Sequence, residues 1–445
     1  MKKLLYILND CMRKFSYERV AGLCRAAKRL EEPTNIYIVR SDGYSSFAPE
    51  HNLGEYNIYR LPDYRDYDGI FLDINNIQGG DSDSYTRGVL YAVRAAAESG
   101  RPVISVANDI EGFRYVGIDN HSAMQSVIRY LHRDLGLTDF WFAMGPLDNY
   151  ENRTRTQALL DYCRENVLPC ENERLHAGSF TIQSGMRAFD ALRKRRGTAL
   201  PQAVICANDH IALGVCHAAE AAGFSIPRDF MVTGFDNTYE AAYLSPAITS
   251  VDQLCWNTGD ACVDAMRRIW AGEAVPRVIY TPTELVKRES TGRADPGEVD
   301  TRSRAAEYAR QAAALSDFSY RLSALQYQLP GCKSIEEICA ALTECLSGMG
   351  CKGLCLVLDG ELFENRRMFE FNDYMGHMRD TVDGMPTEGY SGRMELVFHW
   401  SADGMSFERR AVGPTLAASD FPGPGENHLF VPLHFMEYTV GYLSI

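Results

Sequence analysis

From residue 3 to about 235 the chain alternates short, continuously apolar runs with longer amphipathic stretches, and few folds accept that rhythm. The runs are 4–8, 36–39, 69–74, 103–106, 115–118, 140–144, 203–207 and 231–235. A strand that is apolar along its whole length is buried on both faces, the condition of a parallel sheet covered by helices. Between the runs lie helical patterns. Met124, Val127, Ile128, Leu131 and Leu135 recur at three- and four-residue spacing, and similar stretches cover about 15–30, 84–99, 153–167, 183–195 and 209–222. Repeated βα units predict an α/β fold with doubly wound parallel sheets. Eight strands are many for one open sheet of this length, so two sheets, each in its own lobe, are expected.

Such sheets bind ligands beyond the carboxyl ends of their strands. Polar pairs stand there: Asn9-Asp10, Asn75-Asn76, Asn108-Asp109, Asp119-Asn120, Asn208-Asp209 and Asp236-Asn237. Asn and Asp are also favoured at turns and helix N-caps, so any single pair has a purely structural alternative. The formal net charge of −14 argues against a nucleic-acid or anionic-membrane surface built from bulk charge. No run approaches the roughly 18 apolar residues of a spanning helix. Lys2 and Lys3 precede only five apolar residues before Asn9 and Asp10, unlike a secretory signal. Thirteen cysteines show no metal-ligand pairing. The expectation is reduced thiols in a cytoplasmic protein, with no metal and no cofactor.

Around 245–256 an extended segment leads into a helix at about 256–271, and a further extended run covers 278–286. A polar linker with a proline follows at about 291–303. Tyr308, Leu315, Leu322 and Leu329 then recur every seven residues, with Phe318 and Leu325 at the other core position. This reads as a coiled-coil connector or as a helix packed on its own domain. Beyond it a helix at about 335–348 and strands at 353–358, 394–400, 429–435 and 439–445 outline a small α+β unit. The chain stops inside an apolar run, so a piece of a longer polypeptide is expected.

Several stretches, in order, carry a family resemblance. They are Val116-Gly117-Ile118-Asp119-Asn120, Gly145-Pro146 with Arg153-Thr154-Arg155-Thr156-Gln157-Ala158, and Cys206-Ala207-Asn208-Asp209-His210-Ile211-Ala212-Leu213-Gly214. Ile226-Pro227-Arg228-Asp229, Gly234-Phe235-Asp236-Asn237, Thr249-Ser250-Val251-Asp252-Gln253 and Glu284-Leu285-Val286-Lys287-Arg288-Glu289-Ser290-Thr291 follow. Together they resemble the effector-binding core of the lactose/galactose repressor family, which shares its fold with periplasmic sugar-binding proteins. The resemblance covers about two-thirds of the chain and implies a two-lobed binding domain over 1–292. Lobe 1 would take about 1–112 and 250–276, and lobe 2 about 116–246 and 280–292. Residues 293–330 would be a linker and coiled-coil-like helix. There are two departures. The first strand begins at residue 4, leaving no room for the family's helix-turn-helix, and Ala158 stands where the family usually has Gly.

Position for position, the resemblance implies ligand contacts from Arg155, Asn208 and Asp236, with Phe180 as an aromatic wall. The first lobe would add Asn9, Asp10 and Phe15. The chemistry of these side chains agrees. Arg155 offers a planar fork of donors, Asp236 accepts hydroxyl hydrogens, Asn208 both donates and accepts, and an aromatic face covers the apolar side of a sugar ring. Each has a structural alternative: Arg155 could pair with an acid, Asp236 could cap a helix, and Phe180 could be core. Residues 331–445 resemble a GAF-type sensory module through Val431-Pro432-Leu433 and Gly441-Tyr442-Leu443. Proteins so built commonly continue into a GGDEF diguanylate cyclase.

No catalytic motif emerges. His132-Arg133-Asp134-Leu135 mimics a kinase catalytic loop, but Asp139 stands where the metal-binding Asn belongs and no phosphate loop accompanies it. The expectation is therefore a non-enzymatic, cytoplasmic sensor of a small polar ligand such as a sugar. It would close on the ligand and signal as a homodimer through a carboxy-terminal helix to a diguanylate cyclase, with no membrane and no direct nucleic-acid contact by this chain. The alternative is a ligand-responsive transcription regulator whose DNA-binding domain lies beyond residue 445.

Overall fold

The computed structural model describes the chain apart from residues 10–13, 42–48, 75–82, 107, 198, 293–300, 361, 363–385, 414, 417–424 and 436. Most of the expected linker therefore lies outside the described residues. Two compact units emerge. Met1–Val116, Gly259–Val278 and Ala313–Ile445 form the first, and Gly117–Thr258 with Ile279–Ala312 form the second.

In chain order the elements are β1 (Lys2–Leu8), α1 (Lys14–Ala27), β2 (Thr34–Arg40), α2 (Pro49–Tyr56), β3 (Gly69–Asp73), α3 (Asp83–Glu98), β4 (Val103–Ser105) and β5 (Arg114–Ile118). The chain continues through α4 (Asn120–Arg129), β6 (Phe140–Ala143), α5 (Tyr150–Glu165), β7 (Leu175–His176), α6 (Ile182–Arg196), β8 (Ala203–Cys206), α7 (Asp209–Ala221), β9 (Met231–Thr233) and α8 (Tyr239–Tyr243). Then come β10 (Ser250–Asp252), α9 (Cys255–Trp270), β11 (Val278–Thr281), β12 (Glu284–Val286), α10 (Thr301–Gln328) and α11 (Ile335–Gly348). The last strands are β13 (Leu354–Asp359), β14 (Met394–Ser401), β15 (Gly404–Ser406), β16 (Arg410–Ala411), β17 (Asn427–Phe435) and β18 (Tyr438–Ser444). All eight apolar runs form strands.

The sheet of the first unit has order β5-β4-β3-β1-β2-β17-β18-β13-β14-β15, with β11 at the β5 edge and β16 paired to β14. From β5 to β17 neighbouring strands are parallel, and from β17 to β15 they are antiparallel. Residues 331–445, which the sequence pattern sets apart as a small α+β unit, thus continue the first unit's own sheet. β17 lies against β2 with Asn427 opposite Ile36 and Phe430 opposite Val39. The physical reason is β2 itself: six of its seven residues are buried, and a bare apolar edge would invite pairing with another chain. One core cluster accordingly mixes Leu5, Ile7, Tyr37 and Val39 with Val357, Phe430 and Tyr442. Asn57 stitches the junction, its Nδ2 donating to the Thr387 carbonyl at 3.0 Å and to Thr439 Oγ1 at 2.9 Å.

The second unit holds a parallel sheet, β7-β6-β8-β9, and a small antiparallel pair, β10-β12. Its helices start on side-chain caps: Asp119 accepts from the Ser122 amide, Asn149 from Asn152, Thr181 from Ser184 and Asn208 from Ile211. The kinase-like tetrapeptide falls on the π-helical turn after α4, where His132 Nδ1 lies 3.1 Å from the Tyr162 hydroxyl. Helix α10 carries the heptad pattern, and there Leu315, Phe318 and Leu322 are 66%, 47% and 39% exposed. Those residues do not pack as a core helix of their own unit.

Candidate ligand-binding site

At the carboxyl end of the second unit's sheet, Arg155 of α5 is almost wholly buried. Its Nε donates to Asn120 Oδ1 at 2.8 Å, and its Nη1 donates to the Ala207 carbonyl, just past β8, also at 2.8 Å. The guanidinium carbon lies 3.6 Å from the centroid of the Phe235 ring, a cation–π contact that holds the plane flat. Nη1 stands 3.8 Å from Asp236 Oδ1, and Nη2 stands 3.8 Å from Glu151 Oε1. Both separations exceed a hydrogen bond. Nη2 is buried and finds no hydrogen-bond partner among the described residues. An unsatisfied buried donor costs about 1–3 kcal/mol, more when charged, so its retention points to a group that takes an oxygen from elsewhere.

Asp236 sits just past β9 with a φ of 105°, and Asn237 follows at 49°. Such backbone in a non-glycine residue is strained and persists only where its surroundings over-determine it. Here they do. Asp236 Oδ1 accepts from Gln253 Nε2 at 2.7 Å. Asn237 donates from Nδ2 to Asp252 at 2.7 Å and accepts at Oδ1 from Arg288 Nη2 at 2.6 Å. Beneath this turn Asp209 is fully buried, accepting from Ser250 Oγ and the Thr238 amide at 2.7 Å each. Burial, then the neighbouring Asp236 charge, push its carboxyl up to about 7, against those two bonds and the Arg288 charge.

The structure thus brings Arg155 and Asp236 within one ion-pair distance. Asn208, directly after Ala207, caps α7: its Oδ1 accepts from the Ile211 amide at 3.0 Å, which leaves the Nδ2 donors as what it could offer a ligand. Phe180 packs, half-buried, over Gly145, two residues past β6. A Cβ at Gly145 would lie 2.3 Å from its Cε1, so the ring occupies the space a side chain would need. Glu151 and Gln253 were not singled out as site residues.

In the first unit, Asp10 lies outside the described residues. Asn9 is buried at the end of β1, its amide donating to the Asp73 carbonyl at 3.4 Å, and Phe15 lies under the Arg19 guanidinium at 5.1 Å. Both surround a pair that the pattern reading passed over. Arg19 Nε and Nη2 each donate to one Asp73 oxygen at 2.9 Å, and the Tyr6 hydroxyl donates to Oδ2 at 2.6 Å. Burial first, and Asp73 next, hold the Tyr6 hydroxyl well above its usual range. The signal was present: Asp73 interrupts a strand buried on both faces, and a carboxylate there needs a partner.

Comparisons with known proteins bear on the fold. Residues 129–291 match the periplasmic binding protein-like domain family. The HTH-type transcriptional repressor PurR of Yersinia pestis (strain Pestoides F) is 32% identical over 167 residues, 36% of this chain and 47% of that protein. The chain spans about half the length of the curated relatives it matches. Among solved structures, a regulatory protein of the LacI family from Chloroflexus aggregans superposes with a TM-score of 0.52 at 21% identity, over 65% of this chain and 98% of that one. The transcriptional regulator CelR in complex with cellobiose gives 0.51 at 22% identity, over 65% and 84%. Residues 129–291 are therefore a periplasmic-binding-protein-like region, and the chain carries the two-lobed α/β fold of the LacI-family regulators.

Proposed function

We propose that this chain is a ligand-responsive transcription regulator whose effector is a hydroxyl-rich metabolite such as a sugar. The observation that carries the reading is the fixed Arg155 guanidinium, with a buried Nη2 that no acceptor among the described residues takes, beside Asp236 on a strained but braced turn. A cation and a carboxylate held 3.8 Å apart, too far for a mutual hydrogen bond, can donate to and accept from the same hydroxylated ligand. Asn208 and the Phe180 ring complete the set by offering an amide and an apolar face. Asn9 and Phe15 of the first unit are the other ligand contacts we assign. Among the named relatives one is a repressor and one of the solved structures holds cellobiose, which supports both the output and the ligand class.

The diguanylate cyclase output drawn from the sequence has no counterpart among the regulators named above, and regulation of transcription is the better-supported output. The chain passes between its units at 116/117, 258/259, 278/279 and, within α10, 312/313, and we assign the first three crossings as the hinges through which ligand shifts the conformational equilibrium. The exposed Leu315, Phe318 and Leu322 of α10 support a homodimer paired along that helix. The test is calorimetry with a panel of sugars and other hydroxylated metabolites on the 445-residue chain and on Asp236→Asn. Binding by the wild type and its loss in the variant is the expected result. A ligand bound equally by both would remove Asp236 from the site.

A further inference from the structure

Helix α2 carries His51 and Glu55 four residues apart, which places them on one face of the helix. The strand packed against that face is β17, and its His434 sits at a register shift between Leu433 and His434. His434 Nε2 lies 3.1 Å from Glu55 Oε2, and the His51 and His434 rings are 4.7 Å apart between centroids. One ligand atom from each of the three residues lies within 4.8 Å of the other two. Two imidazoles and a carboxylate are a zinc donor set, with nitrogens about 2.0–2.1 Å from the ion, so that donors of a tetrahedral site sit about 3.4 Å apart. The His434–Glu55 pair is already near that spacing, and His51 reaches it by a side-chain adjustment at the surface. Side chains of Glu55 and His434 are only 13% and 7% exposed, whereas His51 is exposed. The cluster is thus anchored on its inner side and open on the outer one.

We propose that His51, Glu55 and His434 bind a borderline divalent ion of the Zn²⁺ class, with the fourth position open to water. The ion would clamp α2 to β17, at the seam where the carboxy-terminal antiparallel strands join the parallel part of the sheet. The sequence gives no hint of it, because Glu55 and His434 are 379 residues apart. Three protein ligands with softer, nitrogen-rich chemistry favour Zn²⁺ over Mg²⁺ or Ca²⁺.

The test uses the full 445-residue chain after removal of metals by chelator. Zn²⁺ is titrated by calorimetry and Co²⁺ by visible absorption, with His51→Ala and Glu55→Gln as variants. His51→Ala alters an exposed side chain, so it leaves the fold intact even if Glu55→Gln does not. The expected result is one equivalent of tight binding, weakened by at least roughly 100-fold in His51→Ala, more than loss of an outer-shell partner brings. The Co²⁺ spectrum should lack the thiolate charge-transfer band that the many cysteines would produce. Zn²⁺ should also raise the melting temperature of the wild type but not of the variant. Unchanged titration in His51→Ala, or a thiolate-ligated Co²⁺ spectrum, would overturn the proposal.

Discussion

Each unit buries an arginine beside an aspartate that follows or ends a parallel strand, and the two pairs are built differently. Arg19 meets Asp73 through two hydrogen bonds of 2.9 Å, with Tyr6 adding a third at 2.6 Å. Arg155 meets Asp236 at 3.8 Å, spends its Nε and Nη1 on Asn120 and Ala207, and leaves Nη2 without a hydrogen-bond acceptor among the described residues. The first arrangement closes on itself and has little left to offer a ligand. The second is held rigid by groups behind it while its forward donor stays open. Rigid support with an unsatisfied front is what distinguishes a binding pair from a structural one.

That contrast can be broken most sharply in the first unit. Asp73→Ala removes the partner of a buried guanidinium and leaves an uncompensated charge, and the expected cost is about 3–5 kcal/mol of stability. Urea unfolding measures it. A loss under about 1 kcal/mol would mean that Arg19 and Asp73 are not the structural half of the comparison.

A third buried aspartate sharpens the same point through pH. Asp209 has hydroxyl and amide donors as its bonded partners rather than a cation, and its carboxyl is pushed up to about 7, chiefly by burial and then by Asp236. A carboxyl whose value is higher folded than unfolded holds its proton more tightly in the native state. Its stabilisation is therefore full below about pH 4 and is lost as the pH rises through 7. At 1.36 kcal/mol per unit this amounts to about 4 kcal/mol across the window. Urea midpoints between pH 5 and 8 should fall with rising pH, and Asp209→Asn should flatten the slope. An equal slope in that variant would assign the effect to another group.

In the second unit the ligand pair should respond in affinity, not stability. Asp236→Asn keeps the size of the side chain and a residue type that tolerates positive φ, but removes the charge. We expect a loss of about 1.5–3 kcal/mol in binding, or roughly 10- to 150-fold, as for one charge-assisted hydrogen bond. The urea midpoint should barely move. A large stability loss with unchanged affinity would make Arg155–Asp236 a structural pair like the other.

Much of this architecture was legible because it follows from burial. Every continuously apolar run became a strand, and the stripe from Met124 to Leu135 became α4 with its terminal turn. Helix α2 was missed because Pro49–Tyr56 is short, largely polar and interrupted by Gly54. The short runs that form β15 and β16 were missed because they bury nothing that alternation could reveal: all five of their residues are exposed. Arg155 and Asp236 are expected from the family resemblance, and the chemistry of their side chains suits a polar ligand. Which donor stays open depends on Asn120, Ala207 and Phe235 meeting one side chain, and no spacing in the chain encodes that. The same holds for the shared sheet, where Asn35 accepts from the amide of Gly425, 390 residues away.

The last and smallest effect concerns the aromatic wall. Gly145 lies two residues past β6 under the Phe180 ring, and an added Cβ would lie 2.3 Å from Cε1 and 2.6 Å from Cζ. Gly145→Ala must therefore displace the ring, since a half-buried side chain yields more readily than the backbone beneath it. Overpacking of this kind costs about 1–3 kcal/mol, and the partial exposure of Phe180 places the stability loss near the lower end. If the ring covers the apolar face of the effector, affinity should also fall, by about tenfold, the price of about 1.4 kcal/mol. Calorimetry on Gly145→Ala beside Phe180→Leu separates the two contributions. Weakened binding in both variants makes Phe180 a ligand contact, whereas a stability loss in both with affinity intact leaves it as core.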